Sequence, residues 1–310
     1  MGDDAAATDV EIQAQLAAKL GETFKELMTS SDSEGIAWTA GTSQAIAHDR
    51  AIESAREDAL FNDPLAKYLV GERGEKISDT IDAAMSLHFK IIGFHRMWTA
   101  VRTKFINDTI AAWIDSLFPE EINGGETTGA AQVTNLGAGV DTRAFWLECL
   151  TRCERYVEID VASINGFKER TLAQLDPVPH PKCQRQVITM DFEVESLADL
   201  RKHNYDASLP TLWILEGLVM YMKKVEVIKL INDVVTLSPK GSCVVINYFE
   251  SPNPENAAAN IDYMEEIILA NAGWTGGREY LGGKVIDYGR FPKNTPPCSN
   301  MGFGTYYYQK

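Results

Sequence analysis

Residues 133–143 read VTNLGAGVDTR, a short apolar run that breaks into two glycines and then Asp-Thr-Arg. Such a run followed by Gly137 and Gly139 is the first strand and turn of a doubly wound α/β sheet, where a ligand lies against the backbone. Two kinds of ligand suit that turn: a dinucleotide, whose pyrophosphate rests on backbone amides, or a cofactor with no phosphate. The dinucleotide fingerprint needs a third Gly or Ala three residues after the second glycine, and Thr142 stands there, so the pattern is broken. Glu158 and Asp160 close the next β-rich run, about 20 residues on, where a carboxylate takes ribose hydroxyls. A ribose without a pyrophosphate points to S-adenosylmethionine, whose sulfonium cation suits an acidic pocket better than a diphosphate does.

Outward from this turn the chain alternates β-rich and helical stretches. RYVEID, RQVITMDF, TLWILEG and SCVVINYF are each followed by a plausible helix, the pattern of βαβ units and a parallel sheet. GTYYYQK, near the end, alternates like a last strand. Towards the N-terminus, residues 9–28 carry one apolar stripe at helical spacing, and residues 36–118 read as several helices interrupted at Asp63-Pro64. Within them, residues 94–118 place Phe94, Trp98, Val101, Phe105, Ile110 and Trp113 near a 3.6-residue period. NGGETTGAA, at 123–131, reads as a linker. The expected organisation is a helical N-terminal cap over residues 1–129 and a Rossmann-like core over 130–310, with a helical insertion around 251–283.

The 310 residues carry a formal net charge of −15, which repels phosphate backbones and argues against nucleic acid as a partner. No apolar run approaches the roughly 20 residues that span a bilayer, and the acidic start lacks the apolar core of a secretory signal. The expectation is a soluble, cytoplasmic protein with no membrane partner. The five cysteines, Cys149, Cys153, Cys183, Cys243 and Cys298, complete no zinc-ligand set and are expected to be reduced and mostly buried.

Several spaced segments together resemble the leucine carboxyl methyltransferase family, including its bacterial branch of small-molecule O-methyltransferases. They are ESAREDALFNDPLAKYLVG, VRTKFIND, NLGAGVDTRAFWL, YVEIDVASINGFK, ITMDF and WILEGLVMYM, in order over roughly residues 50 to 225. The resemblance implies a class-I methyltransferase fold, with seven strands and the last antiparallel, and S-adenosylmethionine as cofactor. It implies that Arg102 binds the cofactor's α-carboxylate, which suits a forked guanidinium. Gly137 and Gly139 would flank the methionine part, and Asp160 would hold the ribose with Glu158 as competitor. Asp191 would accept from the adenine amino group with Phe192 beside the ring, and Glu216 would face the amino group or the sulfonium. Asn107 departs from the family, which usually has Asp there, so a helper contact differs.

The implied reaction is O-methylation of a small-molecule acceptor, with a carboxylate favoured because it is already ionised at neutral pH. A hydroxyl acceptor would need a base, and among His48, His88 and His95 the last is preferred because it shares a predicted helix with Arg102. Tyr221, grouped with Trp98 and Tyr248 as a cleft aromatic, is the second catalytic candidate. No carboxylate cluster reads as a metal site. Two alternatives stand beside this reading: methylation of the C-terminal leucine of a protein phosphatase catalytic subunit, and a non-catalytic regulator that binds the cofactor. The acceptor's identity, the oligomeric state and a lid role for residues 1–30 are left open by the sequence.

Overall fold

The computed structural model describes residue 22 and residues 38–119, 130–249, 260–281 and 287–309. The stripe over residues 9–28, the expected lid and most of the linker therefore lie outside the described residues. The chain forms two compact units, Met1–Ala100 and Val101–Lys310. The division falls inside the helix Phe94–Leu117, and beyond it the ring of Phe105 stacks on that of Phe303.

The first unit holds helices α1 (Trp38–Ser54) and α2 (Gly74–Phe89) and the start of α3 (Phe94–Leu117). Asp82 begins α3: its Oδ1 accepts from the backbone amide of His95 at 2.9 Å, filling a donor that a helix start leaves open. Ala45 and Ile77 are both fully buried and cluster together.

Among the described residues the second unit is built on a seven-stranded sheet, in the order β3-β2-β1-β4-β5-β7-β6. The strands are β1 (Gln132–Leu136), β2 (Arg155–Asp160), β3 (Gln184–Thr189), β4 (Thr211–Leu215), β5 (Cys243–Phe249), β6 (Trp274–Leu281) and β7 (Cys298–Tyr308). The pairings from β3 to β5 are parallel, and β7 runs antiparallel to both β5 and β6. Each strand read from the sequence is present, and the last is antiparallel, as in the class-I methyltransferase arrangement. Every residue of β1 and β4 is buried: β4 (TLWIL) reads as a nearly continuous apolar run, whereas β1 (QVTNL) buries Gln132, Thr134 and Asn135 with hydrogen-bond partners for each. Helix α6 (Lys224–Leu237) lays Val227, Leu230, Ile231, Val234 and Leu237 against the core at helical spacing. The shorter helices are α4 (Arg143–Trp146), α5 (Ala162–Ala173) and α7 (Ile261–Leu269). The segment expected as a helical insertion thus holds α7, but its glycine-rich end is strand β6. All five cysteines are free, and only Cys153 and Cys243 are buried, fewer than expected.

The strand order reverses between β1 and β4, and the ligand crevice of such sheets opens at the carboxyl ends there. Helix α3 is pinned at the other end of the sheet: the indole of Trp113, 1% exposed, donates to the Gly241 carbonyl at 2.8 Å. Trp113→Phe keeps the ring contact but strands that carbonyl, and should lower unfolding free energy by about 1–3 kcal/mol. Urea denaturation would show this as a lower midpoint with an unchanged slope, and a wild-type midpoint would mean that the bond contributes nothing.

Candidate functional site

The turn after β1 delivers the expected glycines to the crevice. Gly137 has φ +65°, a conformation that strains any residue with a side chain, and a Cβ there would come within 2.8 Å of Leu218 Cδ1, so that the leucine would have to shift. Gly139 has φ +54°, and its amide donates to Asp160 Oδ2 at 2.7 Å. The other oxygen of Asp160 accepts from the Val161 amide, also at 2.7 Å. Burial pushes the Asp160 carboxyl above its ordinary value, against the pull of those two amides. The turn's amide is thus occupied by the protein's own carboxylate, not left for a phosphate.

Glu158, two residues earlier on the same strand, does not share this position. It is 1% exposed, with Lys168 Nζ at 2.8 Å and Arg185 Nη2 at 2.7 Å from its Oε2, and Arg185 Nε donating to Oε1 at 3.1 Å. Its carboxylate is engaged by partners from α5 and β3. Asp191, just past β3, accepts from the Glu193 amide at 2.9 Å and shapes a turn, while Phe192 beside it packs partly onto the sheet core.

Four charged side chains meet where β1 and β4 end. Arg102, on α3, places Nε 2.9 Å from Glu216 Oε1. Arg143, at the start of α4, places Nη1 2.7 Å from Glu216 Oε2 and also contacts Asp141 Oδ2. Arg143 Nε donates to Asn107 Oδ1 at 2.7 Å, and Asn135 Nδ2 donates to Asp141 Oδ2 at 3.0 Å. Burial of Arg143 works against its charge, yet the Asp141 and Glu216 carboxylates outweigh it and push its pKa above the ordinary value. Arg102 and Glu216 were expected at the site. Arg143, Asp141, Asn135 and the acceptor role of Asn107 were not, although the Asp-Thr-Arg triplet was in plain view.

The two catalytic candidates lie in different surroundings. His95 is buried in the first unit, with Nδ1 2.8 Å from Asp49 Oδ2. Asp49 also accepts from Ser78 Oγ at 2.5 Å and Thr99 Oγ1 at 3.1 Å. Tyr221 is exposed in the turn that follows β4. Tyr248, by contrast, is a fully buried core residue whose hydroxyl donates to the Ser299 carbonyl, so it is no cleft aromatic. Among the described residues no group of three or more His, Cys, Asp or Glu side chains could hold a metal ion, and no helix is long and apolar enough to cross a membrane.

Burial alone would raise the Asp49 carboxyl, but the hydrogen bonds from His95, Ser78 and Thr99 hold it below its ordinary value. A depressed carboxyl contributes stability above its unfolded pKa of about 3.9 and loses it as pH falls through the folded value. Asp49→Asn should therefore melt earlier than wild type at neutral pH, with the gap closing as pH drops below about 4. Thermal midpoints across the acid range would test this, and a gap that stays constant would refute it.

The chain is similar to several known proteins. The family model described as leucine carboxyl methyltransferase matches residues 43–235. A protein of Streptomyces coelicolor named as an S-adenosyl-L-methionine-dependent methyltransferase is 31% identical over 283 residues, covering 85% of this chain and 92% of its own. One of Frankia alni with the same description is 30% identical, with 85% and 91% covered. A solved structure titled as a methyltransferase from Thermobifida fusca aligns with a TM-score of 0.49 at 16% identity, covering 86% of this chain and 94% of that one.

Proposed function

The chain belongs to the leucine carboxyl methyltransferase family, and we propose that it methylates a carboxylate of a small metabolite, in the cytoplasm, forming an ester. It is an S-adenosylmethionine-dependent methyltransferase, as its family and the names of its relatives agree; the acceptor is our own reading.

The observation that supports the cofactor's place in this reading is the pairing of Arg102 with Glu216 at 2.9 Å, a cation and an anion side by side at the strand ends. An amino-acid end is zwitterionic, and this pair offers a fork for its carboxylate and an acceptor for its ammonium. Asp160 would take the ribose hydroxyls, Gly137 and Gly139 would let the backbone lie against the methionine part, and Asp191 with Phe192 would meet the adenine. The Gly139 amide supports the choice of a phosphate-free cofactor, since Asp160 already accepts from it.

When bound, the cofactor would supply an electrophilic methyl on a sulfonium; an acceptor carboxylate, already ionised, would bond to that methyl through an oxygen as the thioether sulfur leaves with the electron pair of the S–C bond. What the chain must do is hold the acceptor in line and keep water out. A carboxylate acceptor is ionised at neutral pH and needs no base, so in this reading the buried pairing of His95 with Asp49 serves the first unit and not the reaction. Tyr221, exposed after β4, is the residue we assign to the acceptor itself.

Arg102→Ala should weaken binding of S-adenosylhomocysteine by about 1.5–3 kcal/mol, the range for hydrogen bonds to charged groups. An unchanged affinity by calorimetry would return Arg102 to a purely structural part. The acceptor class is read from the product. Methylated small-molecule fractions should release methanol in mild alkali, and the rate should stay nearly flat from about pH 6 to 8, because a carboxylate is ionised throughout. A base-stable product with an acid limb that vanishes in His95→Ala would overturn the carboxylate assignment. Label confined to the C-terminus of a protein would overturn the small-metabolite one.

A further inference from the structure

Arg143 has no place in the assignments above, yet it is fully buried and holds three separate partners. Its Nη1 contacts Asp141 Oδ2 and stands 2.7 Å from Glu216 Oε2, while its Nε donates to Asn107 Oδ1 at 2.7 Å. Asp141 is itself fixed from two sides: Oδ1 accepts from the Arg143 backbone amide at 2.7 Å, and Oδ2 accepts from Asn135 at 3.0 Å. The guanidinium is therefore fastened to β1, to its own turn and to α3, and from there it grips one oxygen of Glu216. The other oxygen of Glu216, Oε1, is the one that faces Arg102.

The two oxygens thus have different neighbours. Oε2 lies against a cation that is fully buried, and Oε1 lies against the cation assigned to the ligand. A zwitterionic ligand entering between Arg102 and Glu216 competes with their mutual attraction. A carboxylate that lost its sole counter-charge in a buried site would take up a proton or turn away, and either change would remove the acceptor for the ammonium. A second, immobile cation removes that conflict.

We propose that Arg143 is a positioning residue for the cofactor's amino-acid end. It anchors Glu216 through Oε2, so that Oε1 stays charged and aimed at the ligand's ammonium while Arg102 turns its fork to the ligand's carboxylate. Asn107 serves the same device by fixing the guanidinium plane through Nε without adding charge. The inference rests on the cofactor reading above.

Two probes separate this role from a merely structural one. S-adenosylhomocysteine carries the amino-acid end, and 5′-methylthioadenosine carries the same nucleoside without it. In Arg143→Gln, calorimetry should show S-adenosylhomocysteine affinity reduced about tenfold or more, the scale of a charged hydrogen bond, with 5′-methylthioadenosine affinity within about twofold of wild type. Arg143→Lys keeps the charge and should recover most of the loss. Should Arg143→Gln fail to fold, Asn107→Leu leaves the charge in place but frees Nε, and should show a smaller loss, again for S-adenosylhomocysteine alone. Equal losses for both probes, or none for either, would overturn the positioning role. A wild-type protein that binds neither probe would instead overturn the cofactor assignment, and the proposal with it.

Discussion

Two arginines and two carboxylates are buried together where the first and fourth strands of the sheet end, and much of the second unit is arranged so that this is affordable. Each charge alone would cost several kcal/mol to remove from water. Here Arg102 and Arg143 are balanced by Asp141 and Glu216, and the polar contacts around them come from Asn107 and Asn135, which are neutral. The partners belong to α3, β1, the turn after it and the end of β4, so the cluster is satisfied only when all four meet. A carboxylate at position 107, as the resembling family usually has, would add a third anion to two cations. With Asn107 the four charges sum to zero, which would suit the neutral zwitterionic end of the cofactor that we propose for the pair of Arg102 and Glu216.

The same economy of charge explains why a glycine turn that looks fit for phosphate is not used for one. Backbone amides at such a turn attract an anion. In this chain the anion is Asp160, which comes from the neighbouring strand and accepts from Gly139. One residue thereby closes the turn against phosphates and presents a carboxylate at the strand end. Burial raises its carboxyl, so hydroxyl donors that favour the ionised form would lower it again.

How much of this could be read from the sequence depended on the range of the interactions. The strands were legible because their apolar runs are local, and β1 to β5 stand where the runs stand. Arg102, Asp160 and Glu216 were legible as strand-end or helix residues of the right chemistry. Glu158 and Asp160 were not separable, because residues two apart on a strand share a face. What divides them is Lys168 and Arg185, ten and 27 residues further along the chain, which cover Glu158 and leave Asp160 at the edge. Arg143 was missed for a related reason: an arginine in the first turn of a short helix reads as solvated, and nothing local shows that Glu216 lies 2.7 Å from it. The burial of Tyr248, likewise, is decided by long-range packing, its hydroxyl reaching Ser299 on β7.

Helix α3 links these local arrangements over a longer distance. Eleven residues separate Arg102 from Trp113, about 16 Å of helix at 1.5 Å per residue. At the far end, Trp113 is tied to the Gly241 carbonyl before β5, and Arg152 donates to the carbonyl of Phe118 just beyond the helix. Asn107 lies between, holding Arg143 from the middle of the same helix. A helix fastened at its far end and at its middle can neither slide nor turn without breaking a buried hydrogen bond. The guanidinium of Arg102 therefore inherits its place from contacts on the opposite edge of the sheet. For the carboxylate acceptor that we propose, the chain would contribute alignment more than proton transfer, and that inherited rigidity would be part of the chemistry: a displacement at Trp113 would be carried along the helix to Arg102.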